Sequence, residues 1–346
     1  MKRALCITLA FLLCLCGLCG CGREEVVATN TSTNCANIIT GWGKFAYQDD
    51  YIYFSDTYNI REYDIRTGKT VELASSYAQE PDYMCVEGDR LYYVALGLHY
   101  ITRDGKESGT VFTDTDRDRS ARYLYMEGNT VYYSRYQIDE EKQRWNEYLY
   151  KRDLKTGEET MLVEGLLGYN YYVDSEGIYA IADNEMSRYT ENQNGKLYYS
   201  PKGRIQFKEI QLPIKPIQVF PVGDALYIGN NAMLHRYENG KLTEMNLPAW
   251  RFQICGKYLI TKDFYSKSQT ASTSCKELSV YDLETGEKTV INDSVLLHAV
   301  LGDRYVCYWR ADYTHQQWYY YDLQTGQTTL MYEIMDSEKQ YSYTIG

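Results

Sequence analysis

The chain has 346 residues, with 36 Lys and Arg against 47 Asp and Glu, only 4 His, and 38 Tyr. Its 6 Pro, 25 Gly and 44% hydrophobic content exclude a disordered or collagen-like chain. A formal charge of −11 excludes nucleic acid as the expected partner, because phosphate affinity comes from clustered Lys and Arg.

Met1, Lys2 and Arg3 form a short positive start, and the apolar run from Ala4 to Leu18 is too short to span a bilayer as a stable helix. Residues 1–20 therefore read as a signal peptide. The segment Leu18-Cys19-Gly20-Cys21 resembles the lipobox of bacterial lipoproteins. That resemblance implies that Cys21 becomes the lipid-modified N-terminus, with palmitate among its acyl chains, and that the protein sits at the cell membrane on its extracytoplasmic side. Residues 21–39 are the lipidated Cys and a flexible tether, since Gly22 to Asn37 is rich in Thr, Asn and Ser. Loss of Lys2 and Arg3 leaves a still more acidic chain, so the lipid rather than a basic surface would hold it to the membrane.

Cys35, Cys85, Cys255, Cys275 and Cys307 remain, none of them in a C-x-x-C pair. Their odd number and wide spacing argue against a complete disulfide framework and against structural zinc. Most read as small buried hydrophobes. A Cys255 to Cys275 bridge is one pairing left open.

From residue 40 to 335 a single pattern recurs: a tight-turn signal, then an apolar strand. It appears before Ile52, Leu91, Val131, Ile178, Leu226, Tyr258 and Tyr305, at intervals averaging about 42 residues, the length of one four-stranded propeller blade. In the first unit, Lys44 to Gln48, Tyr51 to Ser55, Ile60 to Asp64 and Thr70 to Ala74 read as strands a, b, c and d, rich in β-branched and aromatic residues. The expected fold is thus an all-β, seven-bladed β-propeller, with six or eight blades the alternatives because Asn184 to Lys208 holds more apparent strand than one hairpin needs. Residues 336–346 form a C-terminal tail that could complete ring closure.

A second signature, Asp-x-x-Thr-Gly, marks the turn between strands c and d at Asp64, Asp153, Asp282 and Asp322. Isolated, these carboxylates suggest ligands. Their periodicity assigns them to turns, where Asp accepts backbone N–H bonds and Gly takes the left-handed position. The abundant Tyr follows from blades that pack on both faces while their rims stay wet.

Segments such as Tyr51-Ile-Tyr-Phe-Ser-Asp56, Ile60-Arg-Glu-Tyr-Asp64 and Leu234-His-Arg-Tyr237 resemble uncharacterised bacterial propeller lipoproteins, distantly similar to the Tyr-Trp-Thr-Asp propellers of lipoprotein receptors. The resemblance carries no catalytic residue.

Antiparallel blades place the a–b and c–d turns on one face of the disc, here the lower, and the b–c and d–a connections on the other, the upper. The tight turns belong to the lower face. Tyr136 to Asn146, Phe264 to Lys276, Arg310 to Gln317 and Asp114 to Ala121 read as long irregular connections on the upper face, where binding residues concentrate. The candidate ligand contacts there are Tyr136, Trp145, Tyr265, Arg310, Asp312 and His315, with Trp318 at the start of the next strand. Aromatics beside Arg and carboxylates suit a protein, peptide or glycan ligand.

No metal or cofactor is expected. Asp114-Thr115-Asp116-Arg117-Asp118 begins like a calcium loop but has Arg119 at the turn-Gly position and Tyr125 at that of the bidentate Glu. The four His lack metal-ligand spacing. A membrane-anchored binding protein is the leading expectation. The alternatives are a glycan-cleaving enzyme using Asp139, Glu140 or Asp312, and an envelope assembly scaffold.

Overall fold

The computed structural model describes residues 43–75, 80–113, 121–139, 144–173, 176–182, 195–230, 233–248, 251–262, 276–311 and 315–335. Among them are 28 strands in seven antiparallel sheets, each of four strands consecutive in sequence. Blade 1 contains β1 (Phe45–Gln48), β2 (Tyr51–Asp56), β3 (Asn59–Asp64) and β4 (Lys69–Ser75). Blade 2 contains β5 (Asp82–Glu87), β6 (Arg90–Val94), β7 (Gly97–Thr102) and β8 (Ser108–Thr113). Blade 3 contains β9 (Ala121–Glu127), β10 (Thr130–Asp139), β11 (Arg144–Asp153) and β12 (Glu159–Glu164), and blade 4 contains β13 (Leu166–Val173), β14 (Gly177–Ala182), β15 (Lys196–Pro201) and β16 (Lys208–Ile210). Blade 5 contains β17 (Gln218–Val222), β18 (Ala225–Asn230), β19 (Met233–Glu238) and β20 (Lys241–Pro248). Blade 6 contains β21 (Gln253–Cys255), β22 (Tyr258–Lys262), β23 (Lys276–Asp282) and β24 (Lys288–Val295). Blade 7 contains β25 (Leu297–Leu301), β26 (Tyr305–Ala311), β27 (His315–Asp322) and β28 (Gln327–Met335).

The innermost strands β1, β5 and β9, then β13, β17, β21 and β25, neighbour one another in order, β13 meets blade 3 at β11, and β25 returns to β1. The protein is a seven-bladed β-propeller. All seven expected b strands begin where the repeat places them. Blade 4 keeps four strands, its extra sequence lying between β14 and β15, where 183–194 fall outside the described residues.

Packing between blades explains the Tyr content. Tyr53, Tyr133 and Tyr308 are among the largest fully buried side chains, set between sheets with β-branched and aliphatic neighbours. Among the described residues the ring closes by packing of blade 7 on blade 1, with no strand exchanged; the tail 336–346, which could complete closure, lies outside them. Trp318 on β27 is 1% exposed, its ring 5.8 Å from Phe54 and 6.0 Å from Trp309, and its indole N–H donates to the Ser55 carbonyl across the blade boundary at 3.1 Å. Thr70 donates to the Met331 carbonyl at 2.7 Å further out.

The lower face follows the turn signature. Asp153 accepts from the N–H groups of Lys155 and Thr156 at 2.8 and 2.9 Å, and Asp282 from Glu284 and Thr285 at 2.9 and 3.1 Å. Gly157 and Gly286 complete these turns at φ of 74° and 73°. The turn N–H groups hold Asp153 below its ordinary pKa, and Lys257 followed by the turn N–H groups does the same for Asp282. Their charge is committed to the fold.

Two sequence expectations change on the upper face. The described part of the stretch from Tyr136 to Asn146 is strand rather than irregular loop, because β10 and β11 stay paired through Tyr136–Glu147, Gln137–Asn146, Ile138–Trp145 and Asp139–Arg144. Likewise Arg310 pairs with Gln317 and Ala311 with Gln316, so strand pairing reaches almost to the tip of blade 7. Alternating apolar residues continue each strand beyond the point where polar composition suggests a loop. Cys85, Cys255 and Cys307 are buried free thiols, and burial pushes the Cys255 thiol up to about 12. The Cys255 to Cys275 pairing is therefore absent, since Cys255 is packed in the apolar interior between blades 6 and 7.

Candidate functional site

Of the expected ligand contacts, Tyr136 and Trp145 lie on the extended hairpin of blade 3, and Arg310 and His315 on the upper ends of β26 and β27 in blade 7. Blades 3 and 7 are three steps apart around the ring, so these residues belong to one face but not to neighbouring blades. Tyr265 and Asp312, with Cys21, Glu140 and the Asp114–Asp118 cluster, lie outside the described residues. Trp318 is a correction. It faces blade 1 in the closure cluster, because the period of two that turns Gln317 and Tyr319 toward blade 6 turns Trp318 the other way.

The structure adds groups that the loop-based reading passed over. Lys44, Asp56, Gln218, Gln253, Lys262 and His298 are all buried, and all stand where an innermost strand begins or a b strand ends, at the upper side of the disc. Buried polar side chains are expected to be hydrogen-bonded, so each calls for a partner.

Several are latches between blades. The Gln218 amide donates to the Phe252 carbonyl at 2.6 Å and accepts from the Phe252 N–H at 3.1 Å, joining blades 5 and 6. Gln253 accepts from the Val300 N–H at 2.9 Å, joining blades 6 and 7. Asp56 is held within blade 1 by Asn59 and Arg61.

Two clusters hold buried ionisable groups. Between blades 1 and 2, the buried Lys44 ammonium contacts Glu80 and lies 2.9 Å from Asp82. Burial alone would lower the Lys44 pKa, but the two carboxylates outweigh it and the net shift is upward. Between blades 6 and 7, Lys262 donates to the Leu296 carbonyl while His298 lies fully buried beside it. Burial, then the charges of Lys262 and Arg251, hold the His298 imidazole well below its ordinary pKa and therefore neutral at pH 7. The first cluster is acidic in sum among the described residues.

The lower face offers a contrasting groove of about 670 Å³ between blades 1 and 2, lined by Tyr51, Glu62, Arg103, Asp104 and Lys106 among others. Both of its cations are already paired. Arg103 donates to the Tyr53 hydroxyl at 2.8 Å and to Asp49 at 2.9 Å, and Lys106 meets Asp104 at 2.8 Å. Among the described residues no group of three or more His, Cys, Asp or Glu converges as metal ligands do.

A scan against models of protein families gives no match, and neither does a search of curated protein sequences. The fold is similar to that of an oligogalacturonate lyase from Vibrio parahaemolyticus, at a TM-score of 0.57 and 10% identity over 82% of this chain and 89% of that one. It is also similar to a puromycin hydrolase, at a TM-score of 0.62 and 10% identity over 86% of this chain and 54% of that one. An acylaminoacyl peptidase from Pyrococcus horikoshii gives 0.56 and 9% over 89% and 54%. In the last two the chain spans about half the length of the other protein. At such identities these likenesses show a shared propeller fold alone.

Proposed function

We propose that this chain is a lipid-anchored, extracytoplasmic binding protein that holds a protein, peptide or glycan ligand on the upper face of its propeller. One observation carries the reading: buried ionisable groups gather at the upper ends of the inner strands, while the lower ends close with turn carboxylates already bonded to their own backbone. Charged groups kept under a wide rim supply directional contacts at low dielectric, which is how a rigid scaffold gains specificity. The lipobox-like Leu18-Cys19-Gly20-Cys21 supports the anchor.

The test joins both halves. Cys21→Ser should move the protein out of the membrane fraction or leave its precursor uncleaved, since the acidic chain offers no electrostatic substitute for the lipid. Continued lipid labelling of that variant would refute the anchor. A glycan array and an envelope pull-down with the wild-type chain, repeated with Arg310→Ala and with Arg103→Ala, test the face. Binding lost with the first and kept with the second supports the upper face, and the reverse refutes it.

A further inference from the structure

Each blade ends in an outermost strand whose outer edge meets no further strand among the described residues. A bare edge offers N–H and C=O groups to any passing chain, so it is commonly kept short or charged. The strands β4, β12, β16, β20 and β24 each carry two charged residues, and β8 is short, with Gly109 in its run. The exception is β28. It has nine residues, more than any of the other six, and Glu333 is its single charge. Its Leu330 and Met335 are exposed, the latter at 70%.

The upper half of β28 sets it apart further. Its register with β27 shifts near Met331, and beyond that irregularity Tyr332, Glu333, Ile334 and Met335 stay paired with Trp318, Gln317, Gln316 and His315. Tyr332 and Ile334 turn toward blade 1. The Tyr332 ring lies 5.7 Å from Trp318 and 6.0 Å from Phe54, with the Arg61 guanidinium 4.1 Å from its centroid, and Ile334 packs on the same cluster. Both are half-buried, so this apolar face runs out to the edge and stops there uncovered among the described residues, while Glu333 on the other face is exposed.

The chain carries a segment that matches this edge. Residues 336–346 follow directly on Met335 and lie outside the described residues. Asp336-Ser337-Glu338-Lys339 is polar, and Asp and Ser suit the opening positions of a type I turn. Tyr341-Ser342-Tyr343-Thr344-Ile345 then alternates apolar with hydroxyl residues at the period of a strand, all but Ser342 being aromatic or β-branched. A four-residue loop returns this segment antiparallel to β28 with Tyr341 opposite Ile334, Ser342 opposite Glu333 and Tyr343 opposite Tyr332. Apolar residues then meet the half-buried face, and Ser342 meets the exposed one.

We infer that residues 340–345 dock on the outer edge of β28 as a fifth strand of blade 7, with Tyr341 and Tyr343 extending the Tyr332 and Ile334 face over the seam with blade 1. A segment tethered to the end of β28 by so short a loop is present at this edge at far higher effective concentration than a second copy of the chain. The pairing withdraws the least charged long edge of the disc from intermolecular association. It also adds cover to the junction at which the ring closes, where Thr70 of blade 1 bonds the Met331 carbonyl.

The experiment is pairwise cysteine crosslinking in the full chain, with the disulfide located by peptide mass mapping. Glu333→Cys combined with Ser342→Cys sets two Cβ atoms directly opposite, and mild oxidation should join them within one chain. Glu333→Cys combined with Tyr341→Cys puts the two thiols on opposite faces and should not crosslink. Hydrogen exchange supplies a second readout. Tyr343→Pro removes a strand N–H and should speed amide exchange across Tyr332–Met335 by about tenfold or more, with exchange in β26 unchanged. Deleting residues 341–346 should do the same, so the readout survives if either variant fails to fold. Equal crosslinking of the two pairs, or unchanged exchange in both variants, overturns the fifth strand. Protection of the β28 amides only in a dimer resolved by sedimentation would assign the edge to a second copy and overturns it as well.

Discussion

The two ends of the same strands are built on opposite principles. At the lower end, Asp64, Asp153, Asp282 and Asp322 each accept backbone N–H bonds from their own turn. At the upper end, Lys44, Lys262 and His298 are withdrawn from water, and their partners come from other blades or, for His298, are lacking among the described residues. A carboxylate bonded to its own turn is a device for closing a hairpin. A buried side chain that reaches a neighbouring blade is a different device, and that difference supports the proposal that the upper side is the functional one.

The largest expected effect sharpens the line between core and site. Trp318→Ala should destabilise the fold by about 3 to 5 kcal/mol, as large-to-small changes of buried aromatics do, because it empties the junction that closes the ring. Chemical denaturation measures it, and a loss below about 1 kcal/mol would place Trp318 outside the core. Next comes Gly286→Val on the lower face. A Cβ there meets no atom within 4 Å, so the cost is conformational alone, about 1 to 3 kcal/mol for a β-branched residue at φ 73°. Ligand binding should survive it wherever the protein folds.

A pH effect follows from His298. Its folded pKa lies well below the ordinary value of 6.5, so the unfolded chain takes up a proton first as pH falls. His298 therefore favours the folded state fully above 6.5, and that contribution is lost progressively as pH drops toward the folded pKa. Denaturation midpoints should decline below about pH 6.5, and His298→Leu should flatten that decline. An identical slope in the variant would assign the acid sensitivity elsewhere. The smallest expected effect on stability is that of Arg251→Gln, within about 0.5 kcal/mol, because the side chain is only half-buried.

The fold was legible because a blade repeats its grammar. Turn signals before Ile52, Leu91 and Val131, and the Asp-x-x-Thr-Gly corners, are local chemistry that each unit must supply for itself. Of the proposed site, the sequence named a face but not the buried groups beneath it. Trp318 and Trp145 look alike in a loop-based reading, and only the strand register separates an inward Trp from a rim position. His298 lacks any metal-ligand spacing, so linear pattern offers nothing. Its surroundings, with the charges of Lys262 and Arg251, come from the neighbouring blade. One signal was present nonetheless: polar residues recur where inner strands begin, at Lys44, Gln218 and Gln253, positions at which a buried strand should be apolar.

The asymmetry between the two faces is tested most directly by site-specific photocrosslinking in the lipid-anchored protein in its own envelope. A benzophenone side chain would be placed at Gln316 on the upper rim of blade 7, or at Glu284 in the lower turn of blade 6. A ligand adduct at Gln316 and none at Glu284 is the expected result. An adduct at Glu284 alone would put the ligand on the Asp-x-x-Thr-Gly face and contradict the account.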